Sequence, residues 1–324
     1  MTPGGPEPRD HGGGLDDAVA LHGGRRAQWL DLSTGINPHP YPVPEIPADA
    51  WTALPDRLSG ERLEAAARAF WSVPEDAAVL AAPGASALIA SIPHLRPTGR
   101  VRIPGRTYNE HEAGFSAAGW EVLRSDPEGD PAEARVVVHP NNPTGHMFSG
   151  EDEPNNRPLL VIDESFADVI LANSRMPDFA TRPGTLILKS LGKFWGLPGL
   201  RLGFAIGDPD LIAALKNRLG PWPVSGIAQH VGAVALEDME WANVTRQVLS
   251  VETARLDAVM QAKGAELVGG TVLFRLFRVD DAAAWQARLA QGRVWSRVFP
   301  YEPGWIRLGL PPADGWAQLE AALA

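Results

Sequence analysis

Short apolar runs that alternate with helical patterns predict an α/β fold: a large three-layer α/β/α domain on a mostly parallel sheet, joined to a smaller α+β domain. Three observations carry that expectation. They are a strand-then-helix rhythm between residues 77 and 207, a nearly unbroken helical pattern over 227–262, and a remainder that mixes strand and helix. The division they suggest is an N-terminal arm over 1–47, a large domain over 48–222, and a connector helix with a small domain over 223–324.

Residues 1–57 are rich in Gly and Pro and hold no long periodic segment, so they read as an arm laid across other structure, mostly extended over 30–47. The pattern changes at Gly60. Leu63, Ala66, Ala67 and Phe70 recur at helical spacing behind Ser59, the expected N-cap. AAVLAA (77–82), VRI (101–103) and VVV (136–138) read as strands, with helical stretches at 85–92 and near 111–118. PLLVID (158–163), TLILKS (185–190) and RLGFAIG (201–207) add three strands apolar enough to be buried on both faces. TVLFRLF (271–277), a helix near 281–290 and WIRLGLP (305–311) make up the smaller domain.

The 324 residues are 44% hydrophobic and 21% charged, which suits a folded protein of two domains. A formal charge of −10 argues against nucleic-acid or anionic-membrane partners, which need a basic surface. The absence of cysteine removes disulfides, thiolate nucleophiles and sulfur-ligated metals, and no metal is expected. Neither a signal-peptide core at the N-terminus nor an apolar run of about 18 residues is visible, so the expectation is a cytoplasmic protein.

Four segments fall at or just after strand ends, where open α/β sheets bind ligands. In PGASALIA, Gly84 permits a tight turn, and the amides of Ala85 and Ser86 open a helix that can hold a phosphate; alone, it reads equally as a turn. NNPTG (141–145) places Asn142 at a strand end, or is simply a turn. VIDES (161–165) runs an apolar stretch, ending in Val161 and Ile162, into Asp163. A carboxylate there either caps the next turn or needs a cationic or protonated partner. KSLGKFWGLPGLRLGF (189–204) sets Ser190, Lys193 and Arg201 in apolar, Gly-rich surroundings, where a desolvated lysine suits imine chemistry.

Taken in this order, the motifs resemble the fold-type I pyridoxal-phosphate enzymes over roughly residues 30–310. The resemblance implies pyridoxal 5′-phosphate as cofactor and a homodimer with its active site at the subunit boundary. It makes Lys193 the lysine that carries the cofactor as a Schiff base. Ser190, Arg201 and the amides of Ala85 and Ser86 become the phosphate cradle, Asp163 the partner of the ring N–H, Asn142 that of the phenolic oxygen, and Tyr108 the stacking ring. Arg307 matches the position that holds a substrate carboxylate.

Within that class, HGG (11–13), DLSTGINPHP (31–40) and the lysine segment resemble the threonine-phosphate decarboxylase family of cobalamin biosynthesis. By that likeness His11 and Arg297 contact a substrate phosphate, Asn37 belongs to the substrate site, and Phe166 stands where aminotransferases usually carry Tyr. The implied substrate is a small phosphorylated amino acid. Two departures stand out: Gly192 replaces a common Ser or Thr, and Leu54 replaces a Tyr that reaches the neighbouring subunit's cofactor. The chain between Gly145 and Leu159 is also short for the helix relatives place there. A histidinol-phosphate-type aminotransferase, and a non-catalytic cofactor-binding protein, are the alternatives.

Overall fold

The computed structural model describes residues 11–124, 132–151, 153–155 and 157–324. These divide into two compact units. One comprises the described residues up to Pro38 with Glu252–Val268 and Phe274–Ala324; the other comprises His39–Val251 with Gly269–Leu273.

The larger unit is built on a seven-stranded sheet of β1 (Ala78–Ala82), β2 (Arg100–Arg102), β3 (Glu121–Leu123), β4 (Ala134–Val138), β5 (Leu159–Asp163), β6 (Thr185–Ser190) and β7 (Gly203–Gly207), in the spatial order β1-β7-β6-β5-β4-β2-β3. Pairings from β6 through β5, β4 and β2 to β3 are parallel, whereas β7 runs antiparallel to both β1 and β6. Every residue of β5 and β7 is buried, as expected for strands covered on both faces. Leu80, Val136, Val161, Leu188 and Ala205 carry the core on one face, with Leu88, Ile92 and Phe115 from the covering helices.

This topology decides where chemistry can occur. The carboxyl ends of β1, β4, β5 and β6 share one edge of the sheet, and because β7 is reversed its first residue, Gly203, lies at that edge too. Gly84, Asn142, Asp163, Ser190 and Arg201 therefore converge from four separate segments of sequence.

In the smaller unit Arg297–Phe299, Glu302–Gly309 and Phe274–Arg278 pair antiparallel in that order; the fourth strand of the sheet, Glu266–Thr271, lies only partly within the unit. Leu276, Phe299 and Trp305 pack on it. Leu30–Asp31 pairs in parallel with Val294–Trp295, which holds the N-terminal segment to this unit.

Several local expectations are corrected. The helix expected from Gly60 spans Arg57–Trp71, and its N-cap is Asp56, whose carboxylate accepts from the Ser59 amide at 2.9 Å; the acidic side chain outcompetes the serine three residues on. The arm contains a helix, Leu15–His22, only eight residues long, that buries Leu15 and Ala18 with Val19 packed beside them, a pattern too short to stand out in the Gly- and Pro-rich sequence. The helical pattern over 227–262 breaks at Asp238, which accepts from the Trp241 amide and starts a second helix, Met239–Gln261. TVLFRLF splits at Val272 and Leu273 into two strands. No helix occurs among the described residues between Gly145 and Leu159.

Candidate active site

At the convergent edge of the large sheet lies a cleft that encloses about 630 Å3 of empty space, its open mouth included. Ala85, Ser86, Tyr108, Asn142, Asp163, Ser190, Lys193 and Arg201 all line it, together with Ser165, Phe166 and Gly192. Each of the residues expected to hold a cofactor is thus on one wall or another of a single cavity.

One end is suited to a phosphate. Gly84 has φ 81°, a conformation costly for other residues, and delivers the chain from β1 into the helix Ala85–Ser91. A side chain on Gly84 would meet the Arg201 guanidinium at 2.7 Å, so the absent Cβ is the space the arginine occupies. Gly203 does the same for the backbone: a Cβ there would stand 2.6 Å from the Ala85 amide nitrogen. Two glycines therefore press the helix start, the start of β7 and Arg201 together. The amides of Ala85 and Ser86, the Ser190 hydroxyl and Arg201 make a donor set that fits a small dianion. Gly192 adds no hydroxyl, and a Cβ on it would lie 3.3 Å from the Pro198 Cα.

The other end is suited to a protonated nitrogen. Asp163 closes β5, is 2% exposed, and accepts from the Ser165 amide (2.9 Å) and hydroxyl (2.6 Å) through Oδ1 and from His111 Nε2 (2.8 Å) through Oδ2. Burial pushes its carboxyl up, but the His111 and Ser165 donors prevail and hold it below the usual carboxylate range. The side chain stays an anion in an apolar setting, which is what a cationic ring nitrogen requires.

Lys193 follows β6 by three residues, and its Nζ lies 5.4 Å from the centroid of Phe166. Its neighbours Phe194 and Trp195 are fully buried, and Trp195 stacks on Trp241 at 5.2 Å. This aromatic bed anchors the backbone that follows the lysine. Behind it, Asp168 accepts from the indole nitrogens of Trp71 (2.9 Å) and Trp195 (3.1 Å), and Lys189 bridges Asp168 (3.4 Å) and Glu164 (2.6 Å).

His11, Asn37, Arg297 and Arg307 belong to the smaller unit. Arg297 and Arg307 stand directly opposite each other on adjacent strands. Arg307 is 5% exposed and donates to the Ser33 carbonyl at 2.5 Å. Burial, and then the charge of Arg297, push its guanidinium down to about 10, against the pull of Tyr301 and Asp31. It remains charged at neutral pH, so this unit holds a pair of facing cations.

His111 was not singled out by sequence reasoning. The signal was present all the same: a carboxylate at a buried strand end demands a partner, and His111 sits three residues after Tyr108, one helical turn away.

The model of the family described as aminotransferase class I and II matches residues 48–323. A threonine-phosphate decarboxylase from Sinorhizobium sp is 37% identical over 326 residues, 97% of each chain. One from Pseudomonas aeruginosa is also 37% identical, over 327 residues and 97% of each chain. Among solved structures, the histidinol-phosphate aminotransferase from Sinorhizobium meliloti in complex with pyridoxal-5′-phosphate has a TM-score of 0.78 at 14% identity, covering 95% of this chain and 93% of that one. That likeness shows the fold. The chain belongs to the class I and II aminotransferase family, whose fold-type I members are enzymes that use pyridoxal 5′-phosphate.

Proposed function

We propose that this chain is a threonine-phosphate decarboxylase serving cobalamin biosynthesis, which converts L-threonine O-3-phosphate to CO2 and (R)-1-aminopropan-2-yl phosphate. The observation that carries the reading is the facing pair Arg297 and Arg307. Two facing cations, one of them buried, make a strongly positive locus, and this substrate brings a carboxylate and a phosphate on one small skeleton. The two relatives at 37% identity support the same assignment.

When bound, the cofactor supplies an electron sink for the pair released at the substrate Cα. Around it the chain's residues bind, orient and move protons. Ala85, Ser86, Ser190 and Arg201 would hold the cofactor phosphate, Asp163 would pair with its ring nitrogen, Asn142 with its phenolic oxygen, and Tyr108 would cover the ring. Lys193 would be the lysine that carries the cofactor, and its amine would return a proton to the substrate Cα once CO2 has left. Arg307 would hold the α-carboxylate, Arg297 and His11 the phosphate, and Asn37 the substrate backbone. Anchors at both the carboxylate and the phosphate would fix the orientation of the substrate, and that orientation decides between decarboxylation and transamination. Phe166 supports the assignment, since it leaves no phenol where aminotransferases of the family usually carry one.

Active enzyme is expected as a homodimer, as is general in the family. The neighbouring exposed side chains of Trp51, Leu54 and Leu58 are apolar surface that a second copy would cover. No described helix is long and apolar enough to cross a membrane, and a cysteine-free chain suits the reducing cytoplasm.

The test is to incubate holoenzyme with L-threonine phosphate and measure CO2, and separately with histidinol phosphate plus 2-oxoglutarate and measure glutamate. CO2 from the first and little glutamate from the second is the expected result. Glutamate without CO2 would overturn the reading in favour of an aminotransferase.

A further inference from the structure

In the smaller unit, one serine ties together segments that are far apart in sequence. Ser33 is 1% exposed. Its amide and hydroxyl both donate to Asp31 Oδ1, at 2.9 and 2.6 Å. The same hydroxyl accepts from the Gly13 amide at 2.7 Å, and its carbonyl accepts from Arg307 Nη2 at 2.5 Å. A hydroxyl has one proton and two lone pairs, so Asp31 takes the proton and leaves a lone pair aimed at Gly13.

The surrounding glycines fit this arrangement and little else. A Cβ on Gly12 would stand 2.3 Å from the Ser33 carbonyl oxygen, and one on Gly309, two residues after Arg307, would stand 2.2 Å from the Thr34 carbonyl oxygen. The backbone of 33–34 is therefore pressed between the Gly12–Gly13 turn on one side and the strand of Arg307 on the other. Gly13 in turn accepts from the Leu15 amide at the start of the helix Leu15–His22.

We infer that Ser33, with Asp31 behind it, is a positioning residue that clasps the His11–Gly13 segment to Arg307, so that one hydroxyl sets the spacing between the phosphate-holding and carboxylate-holding groups of the substrate site. Asp31 also draws on the Arg307 charge, which gives the carboxylate a second reason to be there. Ser33 itself touches neither substrate nor cofactor in this account. It acts through His11 and Arg307, and the inference rests on the substrate roles proposed for those two.

Amide hydrogen exchange on the holoenzyme reads the clasp without using activity. Ser33→Ala is expected to speed exchange in peptides covering residues 11–22 by roughly tenfold, the equivalent of about 1.4 kcal/mol, and to leave peptides covering 185–203 unchanged. In the same variant KM for L-threonine phosphate should rise about tenfold with kcat within about twofold, because an anchor is misplaced and the reacting groups are not. Asp31→Asn, which keeps an acceptor but loses its charge, should move both readouts the same way by a smaller factor, and serves if Ser33→Ala does not fold. Unchanged exchange over 11–22, or an equal rise over the whole chain, would overturn the clasp. If exchange responds as expected while the wild type releases no CO2 from L-threonine phosphate, the clasp stands and the proposed substrate falls.

Discussion

Asp163 illustrates how a single residue's charge is decided by competing terms. Its burial alone would neutralise it, and the three donors from Ser165 and His111 reverse that outcome. His111 supplies one of them from the first turn of the helix Asn109–Ala117, itself 1% exposed. Replacing it with a ring that cannot donate, His111→Phe, leaves burial with less opposition, so the carboxyl moves up. Because the account needs the carboxylate ionised, the acid limb of kcat should shift to higher pH in the variant, with kcat at neutral pH reduced by roughly 10²-fold. The profile of kcat against pH measures this. An unmoved acid limb would show that His111 does not hold the charge.

At the level of elements, β6 and the segment that follows β5 carry a second buried charge system. Lys189 is fully buried and flanked by Glu164 and Asp168; burial alone would lower its pKa, but the two carboxylates raise it above its ordinary 10.5. Burial likewise opposes ionisation of Glu164, yet Lys189, Ser174 and the Arg175 amide hold it below its ordinary 4.5. The Lys189 contribution is thus complete below about pH 10.5 and lost as pH rises through its folded value; that of Glu164 is present above about pH 4.5 and lost as pH falls through its folded value. Between those limits both are charged. Lys189→Met should therefore lower stability by about 3–5 kcal/mol at neutral pH, read from the denaturant midpoint, since it strands two buried carboxylates. A loss under about 1 kcal/mol would contradict the pairing. The strands themselves were legible from sequence because buried parallel strands are written as unbroken apolar runs, such as those ending at Asp163 and Ser190. Turn chemistry was less so: the break at Asp238 and the split at Val272 depend on which side chain happens to reach a free amide, a contest between near neighbours that periodicity does not record.

For the whole molecule, legibility follows the same division. The family's motif order singled out eight residues expected to face a cofactor, and these eight line one cleft. What sequence could not supply were partners that meet only after folding. His111 reaches Asp163 across 52 positions, and Ser33 is reached by Arg307 across 274. The reversed direction of β7, which brings Arg201 back to the edge where Gly84 waits, is equally a property of the sheet and not of any local pattern. The chain has only four lysines, Lys189, Lys193, Lys216 and Lys263, and among them Lys189 is bound up with Glu164 while only Lys193 lines the cleft. Reducing the holoenzyme with borohydride, digesting it and locating the added cofactor mass by peptide sequencing therefore tests the central claim most directly. The account predicts the mass on the peptide containing Lys193 alone, and no label in Lys193→Ala; cofactor mass on Lys189, Lys216 or Lys263, or labelling that survives Lys193→Ala, would contradict it.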